Sequence, residues 1–109
     1  MKKKNRIKSK REFDSFIKKN EFVKNSYYVI YYTNKKEKET RFGIAVGTSL
    51  GNAVTRNFLK RRVREIIKEE QNLYEKDLDY IIMVRKPSVK ATYGEMKENL
   101  ISLIKKVKK

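Results

Sequence analysis

Gly51-Asn-Ala-Val-Thr-Arg-Asn-Phe-Leu-Lys-Arg-Arg-Val-Arg-Glu-Ile-Ile-Lys68 reads as one amphipathic helix beginning near Asn52. At about 100° per residue, Leu59, Val63, Ile66 and Ile67 share the i, i+4, i+7, i+8 stripe of a face packed on a core. Asn57, Arg61, Arg64 and Lys68 repeat with the same period on the opposite side. Lys60 sits at that side's margin, and Arg56 and Arg62 lie nearer the apolar edges. Such a helix is anchored by one side and holds a ladder of cations on the other. Successive turns place them about 5–6 Å apart, close to phosphate spacing along a nucleic-acid strand. A basic helix face is also the ordinary form of a solvated surface. Two features favour the nucleic acid. Acids are few, with Glu65, Glu69 and Glu70 all in the last turns, and Asn57 is a mediocre helix former placed inside the basic row. Arginine adds a planar fork that matches phosphate oxygens, which lysine lacks.

Upstream, Thr48-Ser-Leu-Gly-Asn52 is a short loop into the helix, with Asn52 as N-cap. Arg41-Phe-Gly-Ile-Ala-Val-Gly47 is a strand with a bulky face of Phe42, Ile44 and Val46. Its other face, Gly43, Ala45 and Gly47, is nearly bare. That strip suits either a groove for an extended chain or close helix packing. Residues 34–40 are charged and aperiodic, which suits a hairpin connection back to Ser26-Tyr-Tyr-Val-Ile-Tyr-Tyr-Thr33, an aromatic and β-branched strand. Alternation separates Tyr27, Val29 and Tyr31 from Tyr28, Ile30 and Tyr32. Glu21-Phe-Val23 adds a very short strand. Before it, Ser9-Lys-Arg-Glu12 matches a capping box and opens a helix with Phe13, Phe16 and Ile17 on one side. Residues 1–8 form a basic arm that is poorly ordered when free.

Downstream, the basic helix ends over residues 71–76, and Asp79-Tyr-Ile-Ile-Met-Val-Arg85 has the near-continuous apolar pattern of a central strand. Pro87 breaks the chain. Thr92-Tyr-Gly-Glu95 is a second capping box, opening a helix striped by Met96, Leu100, Leu103, Ile104 and Val107. The order is α-β-β-β-α-β-α, an α+β fold in which helices cover one face of a small mixed sheet. Residues 1–109 make a single domain.

The chain carries 29 Lys and Arg against 13 Asp and Glu, a formal net charge of +16, which opposes compaction unless a polyanion is the partner. Nucleic acid leads and an anionic membrane surface follows; the apolar stripes are needed for the core, which ranks the membrane last. With neither Cys nor His, disulfides, Cys/His zinc sites, Cys nucleophiles and His bases are excluded. No apolar run approaches the roughly 18 residues of a membrane span, and no signal-type segment follows the basic start. The expectation is a cytoplasmic protein. Asp77 and Asp79 have D-x-D spacing that can contribute to a metal site, but no further ligands stand with them. The four glycines take no phosphate-cradle spacing. No catalytic constellation can be assembled, so any RNA cleavage draws its chemistry from elsewhere.

Gly43-Ile-Ala-Val46 followed by Leu50-Gly-Asn-Ala-Val-Thr-Arg-Asn-Phe-Leu-Lys-Arg-Arg-Val-Arg-Glu65 resembles the signature of the bacterial ribonuclease P protein subunit. That family reads G-x-x-V-S-K-K-x-G-N-A-V-x-R-N-R-x-K-R-x-x-R-E. The resemblance runs over nearly the whole chain, from Asn5-Arg6-Ile7-Lys8 to the late Asp-Tyr-Ile-Ile strand and its Arg-Lys-Pro. It implies a subunit of a ribonucleoprotein endonuclease that removes the 5′ leader of precursor tRNA, with catalytic Mg2+ held mainly by the RNA. The implied partners are ribonuclease P RNA and the single-stranded leader, with no membrane and no small-molecule substrate. Residue by residue, the resemblance assigns Arg56, Asn57, Lys60, Arg61 and Arg64 to the helix that contacts the catalytic RNA. Lys68 and Arg6 extend that RNA-binding set by charge. Phe13, Ile17 and Tyr31 match positions lining a central cleft where the leader runs. The family also implies a left-handed β-α-β crossover around the motif helix. Two departures stand out. Phe58 occupies the second arginine of R-N-R, and Gly47-Thr48-Ser49 replaces S-K-K, leaving Arg62 and the lysine-rich arm to compensate. Ile17 also replaces an aromatic. The alternative is a non-catalytic ribosomal or RNA-assembly protein with the same charge logic and no leader cleft.

Overall fold

The computed structural model of the chain describes residues 7, 11, 14, 15, 17, 21–35, 38–72, 74 and 76–107. Arg11, Asp14, Ser15 and Ile17 are helical, and four strands follow: β1 Glu21–Lys24, β2 Tyr28–Asn34, β3 Phe42–Val46 and β4 Leu78–Val84. The basic helix spans Ala53–Glu69 between β3 and β4, and the C-terminal helix spans Tyr93–Ile104. This is the expected α-β-β-β-α-β-α order.

The sheet order is β1-β2-β4-β3, with β4 antiparallel to β2 and parallel to β3. The hairpin expected between the second and third strands is therefore not formed. Every residue of β4 except Met83 is buried, and a strand that apolar on both faces needs partners on both edges. It inserts between β2 and β3. The connection from β2 to β3 is pinned to the chain entering β4 instead. Lys35 N donates to Asp77 O at 3.0 Å, Thr40 Oγ1 to Lys76 O at 2.7 Å, and Arg41 N to Asp79 Oδ1 at 2.9 Å.

One sheet face carries the main core. Tyr28, Ile30, Phe42, Val46, Tyr80, Ile82 and Val84 pack with Leu59, Val63, Ile66 and Ile67 of the basic helix and Met96, Leu100, Leu103 and Ile104 of the C-terminal helix. The stripe expected on the basic helix is the one buried. Its start is set by Asn52, whose side chain accepts from Thr55 N at 2.9 Å. Gly51 precedes it at φ +154°, where an added Cβ would lie 2.9 Å from the Thr55 side chain, so glycine is required there. The helix stops at Glu69 rather than continuing into the 70s. The Thr92–Glu95 capping box is present in both directions.

The opposite face is not left wholly open. Ile7 is buried against Ile81, with Ile17, Tyr31 and Met83 packed around them, and Ile7 N donates to Phe42 O at 3.0 Å. Ile7, within the stretch expected to be a basic arm, is thus held against the sheet, and Ile17 of the first helix lies on the same face. A lone apolar side chain among cations still gains from burial when a sheet face lies within reach.

Candidate nucleic-acid interface

The basic helix carries six basic side chains and two acids. Asn57, Arg61 and Lys68 are exposed, while Arg56, Lys60, Arg62 and Arg64 are half-buried. Among the described residues, no hydrogen bond or ion pair holds the side chains of Asn57, Lys60, Arg61 or Lys68. Arg56 Nε donates to Gly51 O at 3.2 Å, tying the first turn to the loop before it. Arg64 is already engaged within the protein.

The acids at the helix end turn away from this face. Lys97 Nζ of the C-terminal helix lies 3.4 Å from Glu69 and 3.5 Å from Glu70, and the Tyr93 hydroxyl donates to Glu69. That bond, more than Lys97, lowers the pKa of Glu69. Burial, then the Glu69 bond, pushes the Tyr93 hydroxyl up to about 12. With Glu69 and Glu70 engaged at the helix–helix seam, the outer face keeps most of its positive charge. Beyond Lys68 the same charge continues around a depression of about 620 Å³ lined by Lys35, Lys38, Lys68 and Lys76 with Phe42, Tyr74 and Glu39.

Arg62, expected as a compensating RNA contact, has a different post. Its Nη1 donates to Ala91 O at 3.1 Å and lies 3.7 Å from the Met96 sulfur. Its guanidinium sits 4.3 Å from the Phe58 centroid, and that of Arg61 sits 5.6 Å away. Phe58 thus replaces a family arginine with a ring, 40% exposed, that stacks two neighbouring guanidiniums.

The second element of the site is the sheet face away from the two long helices. Strand register sets two rows across it: Phe22, Tyr31, Ile81 and Gly43, then Lys24, Val29, Met83 and Ala45. Tyr31, Val29, Met83 and Ala45 are half-buried, so this face keeps accessible surface with an aromatic side. Of the bare strip on β3, Gly43 is buried and Ala45 is half-exposed: closed at one end, open at the other. Ile17 and Tyr31, both expected in a cleft, meet here in one cluster. Phe13 and Arg6 lie outside the described residues. Phe22, 51% exposed and packed on Tyr31, was not among the expected site residues. The period-2 alternation of Glu21–Lys24 places it on the same face as Tyr31, and that was the available signal.

Of the D-x-D pair, Asp77 is exposed and Asp79 is not. Asp79 is fully buried and receives Arg41 through the backbone N–H, Nε and Nη2, the last at 3.0 Å. No helix among the described residues is long and apolar enough to cross a membrane.

A family model described as Ribonuclease P matches residues 1–108. The chain belongs to the ribonuclease P protein family. It is similar to the ribonuclease P protein component of Bacillus pumilus (strain SAFR-032), 38% identical over 107 residues, covering 97% of this chain and 90% of that one. Among solved structures it is similar to the Staphylococcus aureus RNase P protein, with 35% identity, a TM-score of 0.84 and 93% of each chain covered. The RNase P protein of Thermotoga maritima superposes with a TM-score of 0.87 at 28% identity, over 95% of this chain and 98% of that one. The ribonuclease P family accounts for the fold, for the basic helix between β3 and β4, and for RNA as the class of partner.

Proposed function

We propose that the chain is the protein subunit of ribonuclease P and binds two RNAs at once. The outer face of the basic helix, with Asn57, Lys60 and Arg61 at its centre and Arg56, Arg64 and Lys68 around it, takes the catalytic RNA, and Arg6 joins that RNA-binding set by its charge. A trough on the sheet face beside Tyr31 and Ile17 takes the single-stranded 5′ leader of precursor tRNA, and the family resemblance adds Phe13 to the residues that bind it. The ribonucleoprotein then cleaves the leader and leaves the mature 5′ end, in the cytoplasm where tRNA precursors are processed.

The observation that carries this reading is the unneutralised cation row. A +16 protein that pairs Glu69 and Glu70 with Lys97, yet leaves Lys60, Arg61 and Lys68 unpaired among the described residues, keeps its positive charge for phosphates. Catalytic Mg2+ belongs mainly to the RNA in this reading. Asp79 is committed to Arg41, and no three acids gather among the described residues to hold an ion. The protein's part is to place the leader and the RNA core against each other, which lowers the entropic cost of reaching the cleavage geometry.

The test is leader cleavage by a bacterial ribonuclease P RNA at low Mg2+, with and without the chain. Faster cleavage and tighter precursor binding with the chain are expected. Cleavage equal to that of RNA alone overturns the proposal.

A further inference from the structure

Phe22 is opposite Tyr31 in the β1–β2 register, with ring centroids 5.5 Å apart and planes tilted by 47°. β1 is the outermost strand on that side of the sheet, so the outer side of the Phe22 ring meets solvent. A single exposed apolar side chain is ordinary on a protein surface. This one is not isolated. It continues the ring surface of Tyr31 by one strand, and Lys24 follows two residues later on the same face, opposite Val29. Lys24 is exposed and has no ion pair or side-chain hydrogen bond among the described residues. Neither row crossing this face contains an acid: Phe22, Tyr31, Ile81 and Gly43 form one, Lys24, Val29, Met83 and Ala45 the other.

A flat ring beside an ammonium is the pairing that binds an unpaired nucleotide. The ring takes the face of any base, and the ammonium takes the phosphate next to it. We propose that Phe22 and Lys24 form a nucleotide subsite at the β1 edge, extending the trough beyond Tyr31 and holding one unpaired nucleotide of the leader. The inference rests on the trough being the leader's path. The β1 edge is three strand spacings, about 14 Å, from β3, the strand that runs into the basic helix. Phe22 therefore reads a leader nucleotide farther from the catalytic RNA than the one at Tyr31. Only leaders long enough to reach the edge gain from it.

The experiment uses the full chain assembled with a bacterial ribonuclease P RNA. Its probes are precursor tRNAs with leaders shortened one nucleotide at a time, and mature tRNA. Phe22→Ser is expected to weaken long-leader binding about 5- to 100-fold and to leave mature tRNA unchanged. As the wild-type leader is trimmed, affinity falls in a step that Phe22→Ser no longer shows. Phe22→Tyr keeps the ring and restores binding. Lys24→Ala lowers the salt slope for long leaders by about one unit, whereas Phe22→Ser does not. If wild type discriminates long leaders from mature tRNA and Phe22→Ser discriminates equally well, the subsite is wrong and the trough reading stands. An equal loss with mature tRNA also overturns the subsite. A wild-type complex blind to the leader overturns both.

Discussion

The guanidinium of Arg62 lies 4.3 Å from the centroid of the Phe58 ring, while its Nη1 donates to Ala91 O at 3.1 Å. One side chain of the cationic helix is thus spent on joining that helix to the segment that enters the C-terminal helix. Arg62→Ala removes a charge-assisted hydrogen bond and a stacked guanidinium together. It is expected to destabilise the fold by about 1.5–3 kcal/mol, read from urea unfolding midpoints. Stability within a few tenths of wild type would show that the two helices hold without it.

Arg61 gives the contrasting outcome. It is exposed, and its recorded contact is the Phe58 ring. Arg61→Ala should leave the unfolding midpoint nearly unchanged and lower the slope of log K against log salt for RNA binding by about one unit. An unchanged slope removes Arg61 from the RNA face. Measured together, the two arginines separate a structural cation from a binding cation one residue away.

That separation was only half legible in the sequence. Helical periodicity identified Leu59, Val63, Ile66 and Ile67 as the buried stripe, because a 3.6-residue repeat leaves no other face for them. It placed Arg62 near the apolar edge but had no means of showing that Ala91 O would be within reach. Composition marked β4 as central, yet the strand order was not readable from it and the expected hairpin was not formed. A charged, aperiodic segment between two strands looks like a hairpin locally, whereas the order is set by which edges β4 must pair. Ile7 was hidden by its neighbours, since charge density describes the stretch and not one buried side chain within it. At Phe58 the departure from the family pattern was visible, but its consequence, a ring between two guanidiniums, needed coordinates.

Asp79 shows how a motif that reads as a ligand pair can be structural. It is fully buried at the start of β4, and Arg41 surrounds it with a backbone N–H and two guanidinium nitrogens. Asp79→Ala removes the carboxylate that accepts from the Arg41 backbone N–H and from two of its guanidinium nitrogens, and should cost about 3–5 kcal/mol. Asp79→Asn keeps an acceptor oxygen and should cost less. Divalent-ion titration monitored by thermal melting should shift wild type and Asp79→Asn equally; a Mg2+-dependent gain seen only in wild type would return Asp79 to a metal site.

Tyr93 and Tyr28 are expected to weaken the fold at alkaline pH. The Tyr93 hydroxyl is pushed up to about 12 by burial and by its bond to Glu69. Burial raises that of Tyr28 further, with its hydroxyl donating to Met96 O at 3.0 Å. In the unfolded chain both ionise near pH 10. Above that pH the unfolded state has released protons that the native state still holds, so unfolding becomes easier as pH rises. Their contribution is fully present below about pH 10 and lost as pH climbs through the raised native values. Glu69 acts in the opposite direction. Its carboxylate is held below the ordinary range, first by Tyr93 and then by Lys97, so its small, solvent-exposed contribution is present at neutral pH and lost on acidification. Tyr93→Phe should therefore flatten both limbs of a plot of urea midpoint against pH, and Tyr28→Phe the alkaline limb alone. An alkaline limb as steep in Tyr93→Phe as in wild type would remove Tyr93 from the alkaline loss of stability.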